Sequence, residues 1–339
     1  MLKIQKNIPL APYTTLRIGA PAEFFAVIKS REDLDEAIAW ANKNRKTIMV
    51  LGGGSNILIS KKIKGLVLKN EIRGMEVIDR QADYALVEGK SGESWTKFVN
   101  FTLDHGYYGL ENLFLIHGTV GAAPVQNIGA YGVELKDSFY HLKAIDLKTG
   151  HEKIFAKKDC RFAYRNSVFK TKFKGKYFIY SVTVKLSRQA DFKLDYGSIR
   201  EELLKKGISN PYASDVIRVI GEIRNAKIPS PGLLPNAGSY FKNAEISQAK
   251  FQSLLEKYPG LPGFPAGRAK MKVPAGWLIE QTGFKGKKFG PAWMYEKQAL
   301  ILVHNGRADA KQVLALAKKV KAAVRKKFGI DLSEEINVI

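Results

Sequence analysis

Along residues 30 to 44, SREDLDEAIAWANKN, the apolar positions Leu34, Ile38 and Ala41 recur at helical spacing behind a Ser-x-x-Asp cap signal. That pattern predicts an amphipathic helix. The run TIMVL leads from it into GGGSN, and ILIS, GLVLKN, GMEVI and YALVEG follow as short apolar runs separated by turn formers, which predicts strands. The glycine loop therefore follows a strand and opens no helix. Residues 94 to 106, SWTKFVNFTLDHG, return to helical spacing, with Trp95, Phe98, Val99 and Leu103 on one side and Gly106 as the stop. HLKAIDLKTGHEKIFA predicts a hairpin turning at Lys148, Thr149 and Gly150, and YFIYSVTVKL a further strand.

Between 190 and 211 the pattern is polar and irregular, and AKIPSPGLLPNAGSYF (226 to 241) carries three prolines and two glycines, so a boundary is expected within 190 to 230. Beyond it SQAKFQSLLEKY and AGWLIEQTG read as helices on either side of the loop PGLPGFPAGRAK. QALILVH reads as a strand, 308 to 328 as a long basic helix, and DLSEEINVI as a tail. There is no internal repeat and no low-complexity tract. Mixed α+β architecture is the expectation.

Composition adds limits. A chain of 339 residues, 45% hydrophobic and 26% charged, is long enough for two or three domains and apolar enough to fold. No run approaches the roughly 20 apolar residues that cross a bilayer, and the N-terminal stretch has no apolar signal core, so a cytoplasmic protein with no membrane association is expected. The lone Cys160 can form no internal disulfide, and the five histidines are scattered, so no metal site is expected. A formal charge of +23 points to anionic partners without choosing among nucleic acid, a membrane surface and phosphorylated small molecules. In KKVKAAVRKKF the cations alternate with Val320, Val324 and Phe328 in the manner of a solvated helix face. No nucleic-acid-binding signature is present.

The stretch LENLFLIHGTVGAAPVQNIGAYGVEL (110 to 135) stands apart from this basicity. It holds one basic residue, His117, while Gly118, Gly121, Gly129 and Gly132 punctuate small residues such as Thr119, Ala122, Ala123 and Ala130. Such a surface lets backbone approach a large flat ligand, or else forms a tightly packed turn. The second glycine segment, Gly52, Gly53, Gly54, Ser55 and Asn56, could turn consecutive N–H groups toward an anion, with a plain hairpin turn as the simpler reading. It matches neither a dinucleotide fingerprint nor a Walker loop.

Taken in order, TTLRIGAPA, LGGGSNILI, GLENLFLIHGTVGAAPVQNIGAYGVEL, CRFAYRNSVFK, NAGSYFKN, AGWLIEQTGFKG and LSEEI resemble the UDP-N-acetylenolpyruvoylglucosamine reductase family from about Thr14 to Ile336. The resemblance implies a two-lobed FAD-binding domain of the vanillyl-alcohol-oxidase type and a C-terminal α+β substrate-binding domain. Lobe 1 would span 1–70, lobe 2 would span 71–220 with a tyrosine loop near 190–200, and the substrate domain 221–339. FAD would be the cofactor, with its pyrophosphate on Gly52 to Asn56 and the rest along Gly118, Thr119, Gly121, Ala122, Asn127, Ile128, Gly129, Ala130 and Tyr131, and with Arg224 on the flavin side. NADPH would reduce it, and enolpyruvyl-UDP-N-acetylglucosamine would then be reduced to UDP-N-acetylmuramate for peptidoglycan, by a monomer.

By the same resemblance Ser239 gives a proton to C2 of the enolpyruvyl group, Arg165 holds its carboxylate, and Glu335 assists, with adjacent Glu334 an alternative. Tyr196, Lys227, Asn243, Lys272 and Gln298 would contact the nucleotide substrate. Each has a simpler reading: a turn hydroxyl for Ser239, an ion pair for Arg165, a solvated tail charge for Glu335, exposed cations for Arg224 and Lys227, core cover for Tyr196. His117 departs from the family, which has proline before this glycine turn, and so alters loop stiffness or brings a titratable group near the flavin. Two other functions compete: a flavin oxidase of another small molecule, and a basic nucleic-acid-binding protein with structural glycine loops.

Overall fold

Ser30 caps the first helix, Arg31–Lys43, by accepting from the Asp33 N–H at 3.2 Å. The buried stripe Leu34, Ala37, Ile38 and Ala41 packs with Ala26, Ile28, Leu66 and Leu68 of the neighbouring strands. In the computed structural model, which describes residues 1–339, the chain divides into two compact units. Unit 1 comprises Met1–Pro9, Pro21–Gly54 and Lys62–Arg224, and unit 2 comprises Leu10–Ala20, Ser55–Lys61 and Asn225–Ile339.

Unit 1 holds two large sheets and a two-stranded ribbon, Gly129–Ala130 with Val133–Glu134. The first runs in the order Gln5–Ile8, Ala22–Ile28, Ile63–Asn70, Ile48–Leu51, antiparallel at its first pairing and parallel at the other two. Parallel neighbours need a crossover, and helix Arg31–Lys43 supplies it. The second sheet is antiparallel, in the order Glu152–Ala156, Phe139–Asp146, Tyr177–Ser187, Tyr84–Lys90, Met75–Arg80. Helix Trp95–Asp104 buries Trp95, Phe98 and Val99 with Val87, Leu142, Val182 and Val184 of that sheet. Gly106 follows this helix with a φ of +72°, the left-handed stop that the sequence predicts.

The segment expected to be irregular from 190 to 211 contains a helix, Ile199–Lys205, followed by Ala213–Lys227. Its charges, Arg200, Glu201, Glu202 and Lys205, mask the two positions that matter: Ile199 and Leu203 are buried with Val216, Val219 and Ile220 of the second helix.

Unit 2 carries a four-stranded sheet in the order Asn236–Ser239, Ile301–His304, Ala292–Met294, Lys288–Phe289, and a three-stranded one, Ala244–Ser247, Lys270–Val273, Phe264–Pro265. Helices Gln248–Lys257, Ala275–Glu280 and Ala310–Phe328 close its core. The last of these is the predicted basic helix, capped by Asp309, with Val313, Leu316, Val320, Val324 and Phe328 buried and its lysines outward. The segment Gly52 to Asn56 is not a hairpin. Ile48–Leu51 before it pairs inside unit 1, whereas Ile57–Leu58 after it pairs in parallel with Asn337–Val338 of unit 2.

Candidate active site

In unit 1 the two glycine segments lie against each other. A Cβ on Gly53 would stand 2.9 Å from Gly118 Cα, and one on Gly52 would stand 2.8 Å from Thr119 Oγ1 and 3.6 Å from the Ala122 methyl. No side chain fits there, so the surface is built from backbone and small groups. Gly121 sits equally close on its other side, since its Cβ would fall 2.4 Å from Ser91 Cβ. Ser91 is itself fully buried and accepts from Asn70 Nδ2 at 2.7 Å. The Lys69 ammonium reaches back to the Gly52 carbonyl at 2.8 Å, and burial lowers its pKa.

The same wall continues through residues held in the left-handed region, Asn127 at φ +46° and Tyr131 at +48°. For non-glycine residues that conformation costs about 1–2 kcal/mol, so surrounding contacts must hold it. They do so at Asn127, which is fully buried: its amide nitrogen donates to Glu134 Oε2 and the Ala163 carbonyl, and its amide oxygen accepts from the Lys136 N–H. That side chain braces the wall from behind, as buried Ile128 does, and is committed to protein. Gly129, Ala130 and Tyr131 remain half-exposed, and Ala122 is exposed. The Tyr131 hydroxyl bonds Arg224, and burial raises its pKa, so the phenol stays neutral near pH 7. The exposed His117 is partly covered, and that cover together with the charge of Arg224 holds its imidazole below the ordinary range.

Arg165, also left-handed at φ +51°, donates from Nη2 to the Gly129 carbonyl at 2.7 Å, which fixes its guanidinium at this wall. Tyr196, 46% exposed, packs on the same surface: a Cβ on Gly132 would lie 3.2 Å from Tyr196 Cβ. Unit 1 thus gathers Gly52 to Gly54, Gly118 to Ala122, Gly129 to Tyr131, Arg165, Tyr196 and Arg224 into one neighbourhood.

Unit 2 gathers Ser239 with Glu335. Ser239 ends strand Asn236–Ser239, after Gly238 at φ +67°, where Asn236 Oδ1 accepts from the Gly238 N–H at 3.0 Å. The tail runs alongside the next residues: the Glu335 N–H donates to the Tyr240 carbonyl at 2.8 Å and the Lys242 N–H to Ser333. Glu334 and Glu335 are separated by what they meet. Glu334 is held by Lys321 of the long helix at 3.0 Å, and Glu335 shares its carbonyl with Asn56 Nδ2 at 3.4 Å. A second group forms around the start of helix Ala275–Glu280, where Asn243 Oδ1 accepts from the Ala275 N–H and a Cβ on Gly276 would stand 2.9 Å from Gln298 Oε1. Lys272 is on the adjoining strand, opposite Glu245. Lys227 is exposed at the last position of its helix, and no hydrogen bond draws it to either group.

Sequence reasoning missed Lys69, Ser91 and Glu134. Lys69 had a signal, a cation at the end of the otherwise apolar run GLVL; the others are polar residues indistinguishable in sequence from exposed ones.

The wall fits FAD by its own features. Thr119 Oγ1 is buried with no hydrogen-bond partner in the protein, where Gly52 and Gly53 pack on Gly118 and Thr119 too closely for any Cβ. A buried hydroxyl in that state is a polar group awaiting a ligand. Residues 22–154 match a family described as FAD binding domain, and residues 230–339 match the UDP-N-acetylenolpyruvoylglucosamine reductase C-terminal domain. The UDP-N-acetylenolpyruvoylglucosamine reductase of Pseudomonas aeruginosa is 43% identical over 337 residues, covering 99% of each chain. That of Flavobacterium johnsoniae is 43% identical over 339 residues, covering 100% of both. In fold, the chain is similar to the UDP-N-acetylenolpyruvylglucosamine reductase of Thermus caldophilus, with a TM-score of 0.67 at 22% identity over 100% of this chain and 99% of that one. A solvent-stable cholesterol oxidase shares the fold at a TM-score of 0.51 and 9% identity, over 98% of this chain and 87% of that one. No helix is long and apolar enough to cross a membrane. Relatives of this identity, aligned end to end, and the pairing of an FAD-binding domain with this particular C-terminal domain settle the lineage: the chain belongs to the UDP-N-acetylenolpyruvoylglucosamine reductase family of FAD-containing oxidoreductases.

Proposed function

We propose that this chain reduces enolpyruvyl-UDP-N-acetylglucosamine to UDP-N-acetylmuramate for peptidoglycan synthesis, taking its electrons from NADPH, as a cytoplasmic monomer. The two large sheets of unit 1, divided near residue 70, serve as the two flavin-binding lobes, and unit 2 is the substrate domain. Gly52 to Asn56 take the pyrophosphate, and Gly118 to Tyr131 with Arg224 hold the remainder of FAD, with Thr119 Oγ1 as the polar contact that the protein leaves unmet.

Once reduced, bound FAD supplies the hydride that the alkene accepts at C3. Negative charge then develops at C2 and spreads into the adjoining carboxylate. Arg165 counters it with a planar fork of donors, which a point charge cannot imitate, and its bond to the Gly129 carbonyl keeps that plane in place. Ser239 releases its hydroxyl proton to C2 and regains one from solvent by way of Glu335. A serine is a weak acid, but an enolate is basic enough to take its proton when the two are aligned. Asn243, Lys272 and Gln298 orient the nucleotide, with Tyr196 and Lys227 adding contacts to its anionic part.

The observation that carries this reading is the pairing of the tail with residues 240–242. It sets the Glu335 N–H on the carbonyl of Tyr240, the residue after Ser239, while Lys321 engages Glu334, which supports Glu335 over Glu334 as the assisting carboxylate. The test is anaerobic: enzyme reduced by NADPH is mixed with the enolpyruvyl nucleotide, and return of the oxidised flavin spectrum within milliseconds to seconds is expected. A spectrum that stays bleached would refute the assignment.

A further inference from the structure

Asn112 lies in the short helical turn Glu111–Leu113 and is only 2% exposed. Its Nδ2 donates twice, to the Tyr131 carbonyl at 2.9 Å and to the Lys193 carbonyl at 2.8 Å. Those carbonyls belong to segments far apart in the chain. One is the left-handed tyrosine of the glycine-lined wall; the other stands three residues before Tyr196. One amide therefore ties the wall to the stem of the tyrosine loop.

Beyond the amide, wall and loop interlock closely. A Cβ on Gly132 would lie 3.2 Å from Tyr196 Cβ, and one on Gly197 would lie 3.5 Å from the Tyr131 ring. Each glycine faces the tyrosine of the other segment, so a small slide of the stem would open the contact or make it clash. Apolar packing alone does not stop such a slide. Phe192 meets Tyr108 edge-on with centroids 6.0 Å apart, and Leu194 is buried with Val216 and Val219, contacts that are non-directional. On its other side the stem borders a cavity of about 400 Å³, lined by Glu111, Asn112, Gly132, Lys185, Asp191 and Lys193. The Asn112 amide adds a directional tie at this point.

We infer that Asn112 is a positioning residue: by holding the carbonyls of Tyr131 and Lys193 at one spacing, it sets Tyr196 in register for substrate. The inference rests on the reading of Tyr196 as a substrate contact given above. In the FAD-loaded enzyme, Asn112→Leu keeps the γ-branched shape and removes both donors. Two lost hydrogen bonds translate to about a tenfold rise in KM for the enolpyruvyl nucleotide. Flavin reduction by NADPH should stay within about twofold, which a general loosening of the fold would not allow. Asn112→Ser, a milder change with one donor, should give an intermediate KM and serves if the leucine variant does not fold. In a Tyr196→Ala background Asn112→Leu should add less than about twofold, because the two act through one contact. Full additivity, or equal slowing of both half-reactions, would overturn the inference. If Tyr196→Ala alone leaves KM unchanged, the substrate role of Tyr196 has failed, and this inference fails with it.

Discussion

The glycine-lined wall of unit 1 and the Ser239 neighbourhood of unit 2 solve different problems with different materials. In the wall, polar side chains such as Asn127 and Ser91 face inward as braces, and the surface is backbone and methyl groups. Around Ser239 the backbone is a strand bent at Gly238 beside the tail, and the chemistry we propose there resides in the side chains that it presents. A surface that admits a large flat cofactor fails when anything is added to it. A cluster that moves a proton fails when one group is taken away.

Ser239→Ala tests the second half of that contrast most severely. Losing a positioned proton donor costs 10²–10⁴ in rate, so flavin reoxidation by the enolpyruvyl nucleotide should slow about a thousandfold in stopped-flow traces while NADPH-driven reduction is unaffected. Equal slowing of both would dissolve the distinction. Gly121→Ala tests the first half, because the new methyl would meet Ser91 2.4 Å away in a fully buried setting. Overpacking of this kind costs about 1–3 kcal/mol, so melting should drop by several degrees and the purified protein should lose its yellow colour. A yellow variant of unchanged melting temperature would show that the wall yields.

Within unit 2, Glu335→Gln should slow reoxidation about tenfold or more. Glu334→Gln should change it less than twofold, since it removes a half-exposed ion pair with Lys321 worth at most about 1 kcal/mol. Reversed effects would exchange the two roles. The smallest effect concerns His304, 1% exposed, whose Nε2–H donates to the Leu16 carbonyl at 2.6 Å while Nδ1 accepts from the Gly306 N–H at 3.0 Å. Burial, with the charge of Arg17 adding to it and the Leu16 bond opposing it, leaves the folded pKa below the ordinary value. The stabilisation is therefore complete above about pH 6.5, the unfolded value, and is lost as pH falls below it. Urea midpoints should decline from pH 7.5 to pH 5, and less steeply in His304→Gln.

Much of this contrast is legible in the sequence, and unevenly so. The wall announces itself because 110 to 135 departs from the composition of everything around it, and glycines at close spacing have few other uses. The elements flanking it follow from periodicity and caps, as at Ser30 and Gly106. Ser239 and Glu335 have no such signature. A serine after glycine and a glutamate in a polar tail look like countless surface residues, and only their resemblance to family motifs singled them out. The partition into units was hidden for another reason: Ile57–Leu58 reads as a sheet neighbour of Ile48–Leu51, and nothing local reveals a partner at Asn337–Val338. Helix Ile199–Lys205 was missed because two buried positions are too few to establish a period amid four charged residues.

Unit 2 draws its backbone from Leu10–Ala20, Ser55–Lys61 and Asn225–Ile339. A ribosome delivers these stretches at widely separated times, at roughly 5–20 residues per second, so the two early ones, with Leu16, Ile18 and Leu58, emerge well before the core they join. Unit 1 has all of its strands once Ser187 has been made, and can close while Ile57–Leu58 still waits. Nascent chains halted near residue 230 should therefore already protect the first sheet from protease and leave Ser55–Lys61 open to cutting. The unit we propose as the substrate domain is also the one that translation completes last.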